Sequence, residues 1–331
     1  MRNDLVHRPR RLRRTPALRR LTDTTHIARS NLVLPLFVSE VLPEPRPIDR
    51  MPGVVVHTRD TLRKAAAAAA EAGVGALMLF GVPDPDRKDT TGSQAWAADG
   101  ITQQALTDLA AEVGEKLVLI GDVNLDECTT HGHAGVLGDD GDVDNDATLQ
   151  TYAKVAVAQA QAGAHMVAPS GMMDGQVAEI RHALDEAGYP HTPILAYAAK
   201  YASAFYGPFR QAVNSSLTGG DRATYQQSTA GSVREALHEV CLDVAQGADV
   251  VMIKPAGLYL DVIQAVRDQV DVLVAAYQTS GEYAQIEAAA AFGWLEHRDK
   301  AIRESLLAIR RAGADLIITY WATEVAKGAD H

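Results

Sequence analysis

The chain has 331 residues, of which 47% are hydrophobic and 22% are charged, and its formal net charge is −11 at pH 7. This length suits one α/β barrel of about 250 residues with extensions, or two smaller domains. The acidic balance argues against a nucleic-acid partner, and no apolar run reaches the roughly 18 residues that would cross a membrane.

The two cysteines, Cys128 and Cys241, are too few for a disulfide framework. No charged and then apolar signal pattern opens the sequence. We therefore expect the protein in a reducing cytoplasm.

A basic segment, residues 1–31, precedes the first apolar run. It holds nine arginines, no lysine and two acids, which leaves a charge of about −18 on the remaining 300 residues. Composition alone leaves open a solvated tail and an arm that docks on an acidic neighbouring subunit. A transit peptide is a further alternative, although the segment continues into the first predicted strand without a cleavage-like small-residue site.

Eight short β-rich runs follow, with helical stretches between them. The runs lie at 32–38, 76–80, 116–123, 165–170, 193–198, 249–255, 272–278 and 315–321. Apolar strands separated by helices indicate parallel strands covered on both faces. Eight such units predict an α/β fold, a (β/α)8 TIM barrel over 32–331 with an extended N-terminal arm. A doubly wound open sheet is the alternative, but no Gly-x-Gly-x-x-Gly follows the first strand.

Polar residues interrupt the apolar runs near their C-terminal ends, where TIM barrels carry their chemistry. In chain order they are Asp122, Ser170, Lys200, Lys254, Ser280 and Tyr320. Any one of them alone could be a strand-end residue turned to solvent. The two lysines are harder to explain in that way, because the chain has only eight lysines and an apolar strand end is a poor place for a solubilising charge.

Two lysines that share one partly desolvated pocket at the C-terminal mouth of the barrel have a chemical use. Burial disfavours the ammonium form, and a second ammonium nearby lowers the pKa further. A neutral amine attacks a ketone to form a Schiff base, which activates the neighbouring carbon for C–C bond formation. Lys200 and Lys254 therefore predict Schiff-base chemistry.

A long insertion at about 201–230 follows the fifth predicted strand and contains Arg210, Arg222 and a Gly219–Gly220 pair. Its length is typical of an active-site lid, and arginine side chains match carboxylates. The last strand lacks a Gly-rich phosphate site. The residues favour a Schiff-base enzyme acting on a keto carboxylic acid, while an ordinary surface loop with solvated arginines remains the alternative.

Several segments resemble the signature segments of the porphobilinogen synthase (δ-aminolevulinic acid dehydratase) family, in order over nearly the whole chain. They are "VAPSGMMDG", "ILAYAAKYASAFYGPFR", "GDRATYQQ", "VMIKPAGLYLDVI", "SGEY" and "IITYWA". The segment "DECTTHGHAG" is similar to the corresponding segment of the actinobacterial branch of the family. The resemblance implies condensation of two 5-aminolevulinate molecules to porphobilinogen and two waters, a step of haem (tetrapyrrole) biosynthesis, by a homo-octamer whose arm wraps a neighbouring barrel.

The resemblance also implies roles for the strand-end residues. Lys254 matches the lysine that holds the first substrate as a Schiff base, and Lys200 the lysine that holds the second. Asp122 and Ser170 match polar groups beside the two lysines that are suited to proton transfer.

Further positions match groups that bind the substrate carboxylates. Arg210 and Arg222, with Gln226 beside them, match the groups on one carboxylate, and Ser280 and Tyr320 match those on the other.

The segment after the third strand departs from the family pattern. Zinc-using members place cysteines at the positions of Asn124, Asp126 and Ala134, and this chain keeps only Asp126 as a metal-binding side chain. A tetrahedral thiolate site is excluded at these positions, so we expect no active-site zinc. Cys128 and His133 leave a different site open.

Glu239 occupies the position that anchors a hydrated allosteric magnesium in many bacterial members. Two alternatives to the synthase function remain open from the sequence. One is a paralogue that condenses a different amino ketone in another pathway, and the other is a catalytically silent member that acts as a scaffold.

Overall fold

A ring of parallel strands forms the centre of the computed structural model, which describes residues 6–328. The strands are β1 (Leu32–Ser39), β2 (Arg46–Pro47), β3 (Val55–His57), β4 (Ala76–Val82), β5 (Val118–Val123), β6 (Met166–Pro169), β7 (Leu195–Lys200), β8 (Val250–Lys254), β9 (Leu273–Tyr277) and β10 (Leu316–Ile318). Eight of them pair in the order β6-β5-β4-β1-β10-β9-β8-β7. A parallel bridge between Val167 and Ile194 joins the two ends and closes the ring.

The described chain also contains helices, most of which pack around this ring. They are α1 (Pro16–Thr22), α2 (Arg59–Glu71), α3 (Ile101–Val113), α4 (Asn145–Gln161), α5 (Gln176–Glu186), α6 (Gly207–Ala212), α7 (Val233–Ala245), α8 (Leu260–Gln269), α9 (Ser280–Ala291), α10 (Arg298–Ala312) and α11 (Ala322–Gly328). None of the helices within 6–328 is long and apolar enough to cross a membrane.

The sequence explains why these strands form and where they end. All residues of β1, β4, β7 and β8 are buried, as expected for strands with side chains in the barrel interior on one face and under helices on the other. The TIM-barrel prediction is confirmed, and each of the eight predicted runs overlaps one barrel strand. The short antiparallel pair of β2 and β3 was not predicted.

The described part of the basic segment lies on the outside of the barrel. It contains a 3-10 turn at Pro9–Arg13 and helix α1, and neither buries a residue in the single chain. Residues 1–5 of the predicted arm and 329–331 of the predicted barrel domain lie outside the described range.

Candidate active site

Lys200 and Lys254 are the last residues of two neighbouring strands, β7 and β8, and they are register partners in the sheet. Each side chain is only about 6% exposed. Both line a cavity with about 350 Å³ of empty space at the C-terminal mouth of the barrel. The cavity is also lined by Phe80, Asp122, Asn124, Asp126, Ser170, Tyr206, Phe209, Arg210, Arg222 and Gln226. Four of the six residues predicted at the strand ends, Asp122, Ser170, Lys200 and Lys254, therefore line one cavity.

Four aromatic rings surround the Lys254 amine and are called the aromatic box below. The distances from Nζ to the ring centroids are 4.3 Å for Tyr277, 5.1 Å for Tyr197, 5.3 Å for Tyr206 and 5.1 Å for Phe209. Aromatic faces attract a cation, but they also exclude the water that an ammonium ion needs. Burial, followed by the charge of Lys200, lowers the pKa of Lys254 to about 7. A large fraction of this amine is therefore neutral near physiological pH.

The Lys200 amine has a more polar environment. Its Nζ donates a hydrogen bond to the carbonyl oxygen of Ser170. Burial lowers the pKa of Lys200, whereas the carboxylates of Asp126 and Asp122 act in the opposite direction. Both lysines are thus shifted toward the nucleophilic form.

Asp122 lies at the end of β5, close to both lysines. The Ser170 hydroxyl donates to Asp122 Oδ2 at 3.0 Å, and Asp122 Oδ1 is buried without a hydrogen-bond partner within 6–328. Burial raises the pKa of Asp122 to about 6, although the charges of Lys200 and Lys254 oppose this shift. A carboxyl group that titrates near neutral pH can both give and take a proton during catalysis.

The predicted lid segment, 201–230, is fixed at its base and folds over the mouth. A bridge between Tyr201 and Gln227 returns the chain to the end of β7. Further along, Thr218 N donates to the His131 carbonyl at 3.2 Å, so that the segment contacts the loop after β5. The two arginines reach the cavity from this segment.

Those arginines have different surroundings. Arg222 is buried and donates from Nη2 to the carbonyl oxygens of Gly132 at 2.7 Å and Ser215 at 2.9 Å; the same atom lies 3.6 Å from Asp126 Oδ2. Arg210 is half-buried, and burial lowers its pKa, with Arg222 acting in the same direction. Two guanidinium groups facing one cavity attract an anion.

Gln226 has a buried Oε1 without a hydrogen-bond partner in the described chain. It also lines a second, more open cavity outside the mouth, described below.

Ser280 and Tyr320 lie beside the aromatic box rather than on the wall of the 350 Å³ cavity. The Ser280 hydroxyl accepts a hydrogen bond from Phe209 N at 3.1 Å. The Tyr320 hydroxyl lies 3.1 Å from that of Tyr277, whose ring contacts Lys254. The two predicted residues are thus brought to the Lys254 side of the site.

The predicted metal loop has few donors suited to zinc. Asn124 Nδ2 donates to Asp126 Oδ1 at 2.9 Å, and Asn124 Oδ1 accepts from Leu125 N at 2.8 Å. The side chain of Asn124 is therefore engaged within the loop, while Ala134 offers no ligand. Within 6–328, no three His, Cys, Asp or Glu side chains are grouped as a metal site.

Cys128 and His133 are each engaged elsewhere. Burial raises the pKa of Cys128 well above its ordinary value, which disfavours the thiolate that binds zinc. His133 Nε2 lies 3.1 Å from the Gly219 carbonyl, and its Nδ1 lies 3.2 Å from the Tyr225 hydroxyl. Both ring nitrogens thus contact the lid segment.

Glu239 is separate from the mouth. It lines the second cavity, with about 920 Å³ of empty space, together with Asp142, Asp174, Glu235 and Gln226. Burial raises the pKa of Glu239, and the neighbouring Asp174 charge adds to this effect. These acids line one cavity, but within 6–328 they are not grouped closely enough to form a metal site by themselves.

Sequence reasoning missed the aromatic box. Tyr197 and Tyr277 stand near the ends of predicted strands, and that position could have marked them. Tyr206 and Phe209 come from the lid segment, whose folded position has no periodic signal in the sequence.

Comparison with known proteins places these features in a family context. A family model described as "Delta-aminolevulinic acid dehydratase" matches residues 6–328. The delta-aminolevulinic acid dehydratase of Streptomyces coelicolor is 60% identical over 320 residues, which cover 97% of this chain and 96% of that protein. The enzyme of the same name from Mycobacterium tuberculosis is 61% identical over 319 residues, covering 96% of each.

A solved structure gives the same result. The delta-aminolevulinic acid dehydratase (porphobilinogen synthase) of Toxoplasma gondii, in complex with the reaction product porphobilinogen, has a TM-score of 0.94 to this chain. The two are 41% identical, and the match covers 97% of this chain and 91% of the other.

Proposed function

The chain belongs to the delta-aminolevulinic acid dehydratase family, and we propose that it condenses two 5-aminolevulinate molecules to porphobilinogen through Schiff bases on Lys254 and Lys200. The observation that carries the proposal is the pairing of these two buried lysines at the mouth of one cavity. A silent scaffold would have no need to keep two desolvated amines together, since each is costly to bury.

The chemistry follows from the two amines. Each neutral amine attacks the ketone of one substrate and expels one water, which leaves a Schiff base. Loss of a carbon-bound proton from one Schiff base gives an enamine, which forms the C–C bond to the electrophilic carbon of the other. The amino group of one substrate then displaces one lysine to close the ring, and elimination releases the other lysine. The balance is porphobilinogen and two waters, with both lysines restored.

Proton transfer in these steps falls to Asp122 and Ser170. Asp122 has a pKa of about 6 and shares a hydrogen bond with Ser170, whose carbonyl oxygen accepts from Lys200. The pair can therefore take a proton from a substrate and return it close to either lysine.

Substrate carboxylates have two binding regions in this proposal. Arg210, Arg222 and Gln226 receive one carboxylate under the lid segment. Gln226 Oε1, which is buried without a hydrogen-bond partner within residues 6–328, accepts from a substrate donor other than that carboxylate. Ser280 and Tyr320 receive the other carboxylate, beside the aromatic box.

Metal use follows from the donor groups. The loop with Asn124, Asp126 and Ala134 does not fit a thiolate zinc site, and no step above depends on one. For magnesium we propose a hydrated ion held at Glu239 in the second cavity, outside the mouth, where water molecules supply most of the ligands because the described acids there are not grouped as a direct metal site.

We also propose the assembly and compartment expected for this family. The exposed basic arm docks on a neighbouring acidic barrel in a homo-octamer. Two free cysteines, one buried and one exposed, suit a reducing cytoplasm.

Incubation of the purified protein with 5-aminolevulinate, followed by an acidic aldehyde reagent for the pyrrole, tests the function. We expect the pyrrole colour with the wild type and none with Lys254→Ala. A protein that consumes only a different amino ketone would be a paralogue, and one that forms no adduct with any amino ketone would be a scaffold.

A further inference from the structure

Glu282 caps the helix that begins at Ser280. Its carboxylate is about 6% exposed and lies in the first turn of α9. Oε2 accepts hydrogen bonds from Thr279 N at 2.6 Å and from Thr279 Oγ1 at 3.0 Å, which closes a capping box. The backbone position of Ser280 therefore depends on Glu282.

The same carboxylate also holds the turn that follows Lys254. Glu282 Oε1 accepts from Gly257 N at 2.5 Å, and Oε2 lies 3.4 Å from Ala256 N. Gly257 permits this close approach, because a Cβ atom there would lie 2.7 Å from Oε1. The turn begins only two residues after Lys254, so a shift of it moves the end of β8.

Within residues 6–328, the hydrogen bonds to the Glu282 carboxylate all come from N–H or O–H donors, so both carboxylate oxygens act as acceptors. A glutamine has the same shape but only one accepting atom. The NH2 group of the glutamine would face the N–H donor of either Thr279 or Gly257. Two donors cannot form a hydrogen bond, so the contact with one of these residues would be lost.

We propose that Glu282 is a positioning residue that fixes the spacing between the Lys254 amine and the carboxylate-binding region at Ser280. The inference rests on the proposed function, because it assigns Lys254 to the ketone and Ser280 to a carboxylate of the substrate. One buried carboxylate then sets the distance between the two groups that bind the substrate, Lys254 at its ketone and Ser280 at its carboxylate.

Glu282→Gln tests the proposal. We expect the rate at which borohydride traps 5-aminolevulinate on Lys254 to fall by up to about a hundredfold, since a displacement of about 1 Å in a reacting group has effects of this size. We also expect KM to rise as Ser280 moves, so that both kinetic parameters change. Gly257→Ala should reproduce the loss from the other side of the contact without altering a charge.

Thr58→Ala is the matched control. Thr58 and Thr61 form the capping box of α2, on a helix that supplies no group to the mouth. Its loss removes a comparable cap and should leave the trapping rate and KM unchanged.

The outcomes are distinguishable. Trapping on Lys254 in the wild type is the reference, and its absence there would overturn the proposed function itself. Trapping in the wild type, together with wild-type rates and KM in folded Gly257→Ala and Glu282→Gln, would overturn the positioning role alone. If Glu282→Gln does not fold, Gly257→Ala decides the question.

Discussion

Lys200 and Lys254 are register partners at the ends of adjacent parallel strands, so their side chains enter the same cavity. When one amine is protonated, protonation of the other costs more free energy, because two like charges then share a site that excludes water. The pairing thus does more than place two nucleophiles together, since it also helps keep one of them neutral.

The first prediction concerns the pH dependence of Schiff-base formation. The neutral amine of Lys254 is the attacking form, so trapping of 5-aminolevulinate by borohydride should fall as the pH drops below about 7. Lys200→Met removes the nearby ammonium, so the pKa of Lys254 should rise and this acid limb should move to higher pH. Burial is the larger cause of the low pKa, so in Lys200→Met the pKa of Lys254 should rise but stay below its ordinary value.

Mass spectrometry of the trapped peptides, from pH about 6 to about 9, measures the effect. Substrate mass only on surface lysines such as Lys64 or Lys88 would contradict the assignment of Lys254. An acid limb that does not move in Lys200→Met would contradict the coupling of the two amines.

The second prediction concerns stability. The folded chain binds the Lys254 proton less tightly than the unfolded chain, whose lysine pKa is near 10.5. Between pH about 7 and 10.5 the unfolded state therefore carries more protons, and the contribution of Lys254 to stability becomes less unfavourable as the pH rises. At pH 7 this burial costs on the order of a few kcal/mol, because one unit of pKa shift corresponds to about 1.4 kcal/mol.

Lys254→Met should therefore be inactive but more stable at neutral pH, with its apolar chain in contact with the four rings. Its advantage in the free energy of unfolding should shrink as the pH approaches 10. Denaturant unfolding at both pH values and equal protein concentration measures this. A Met variant less stable than the wild type at pH 7 would show that the box prefers the ammonium.

Parallel-strand logic predicted much of the site, because the C-terminal ends of barrel strands converge whatever the details of the helices. Asp122, Lys200 and Lys254 follow from that rule alone. The contacts of Phe209 and Arg222 do not, since they depend on how an aperiodic segment folds back over the mouth. The link from Glu282 to Gly257 was equally unpredictable, because it joins residues 25 positions apart, with α8 and β9 between them.

The third prediction concerns the arm. Leu12 and Leu21 are 56% and 80% exposed in the single chain, beside a row of arginines, as expected of a segment that is covered by another subunit. Deletion of residues 1–25 should reduce the size of the assembly and lower activity at low protein concentration. Salt should weaken the intact assembly as the screening length falls to about 8 Å or less. Equal sedimentation of truncated and full-length protein would show that the arm is a free tail.

The fourth prediction concerns magnesium. Mg²⁺ should stimulate turnover, and Glu239→Ala should remove the stimulation but keep basal activity, because Glu239 lies outside the mouth. Glu186→Ala is a suitable control, since this exposed acid on α5 pairs only with His182 among the described side chains. A Glu239→Ala enzyme with the full magnesium response would place the stimulating ion elsewhere.

The last prediction concerns zinc. The purified protein should hold less than one tightly bound zinc per subunit, and strong zinc chelators should leave its turnover intact. The reason lies in the candidate zinc ligands. Asn124 is hydrogen-bonded to Asp126 within the loop, and burial raises the pKa of the Cys128 thiol, which disfavours the thiolate. Lys200, as an iminium, makes a substrate carbon electrophilic without a Lewis acid.

The triple variant Asn124→Cys, Asp126→Cys and Ala134→Cys should in turn create zinc binding, measured by elemental analysis. Stoichiometric zinc in the wild type, with activity lost to chelation and restored by zinc, would show instead that Cys128 and His133 form a site.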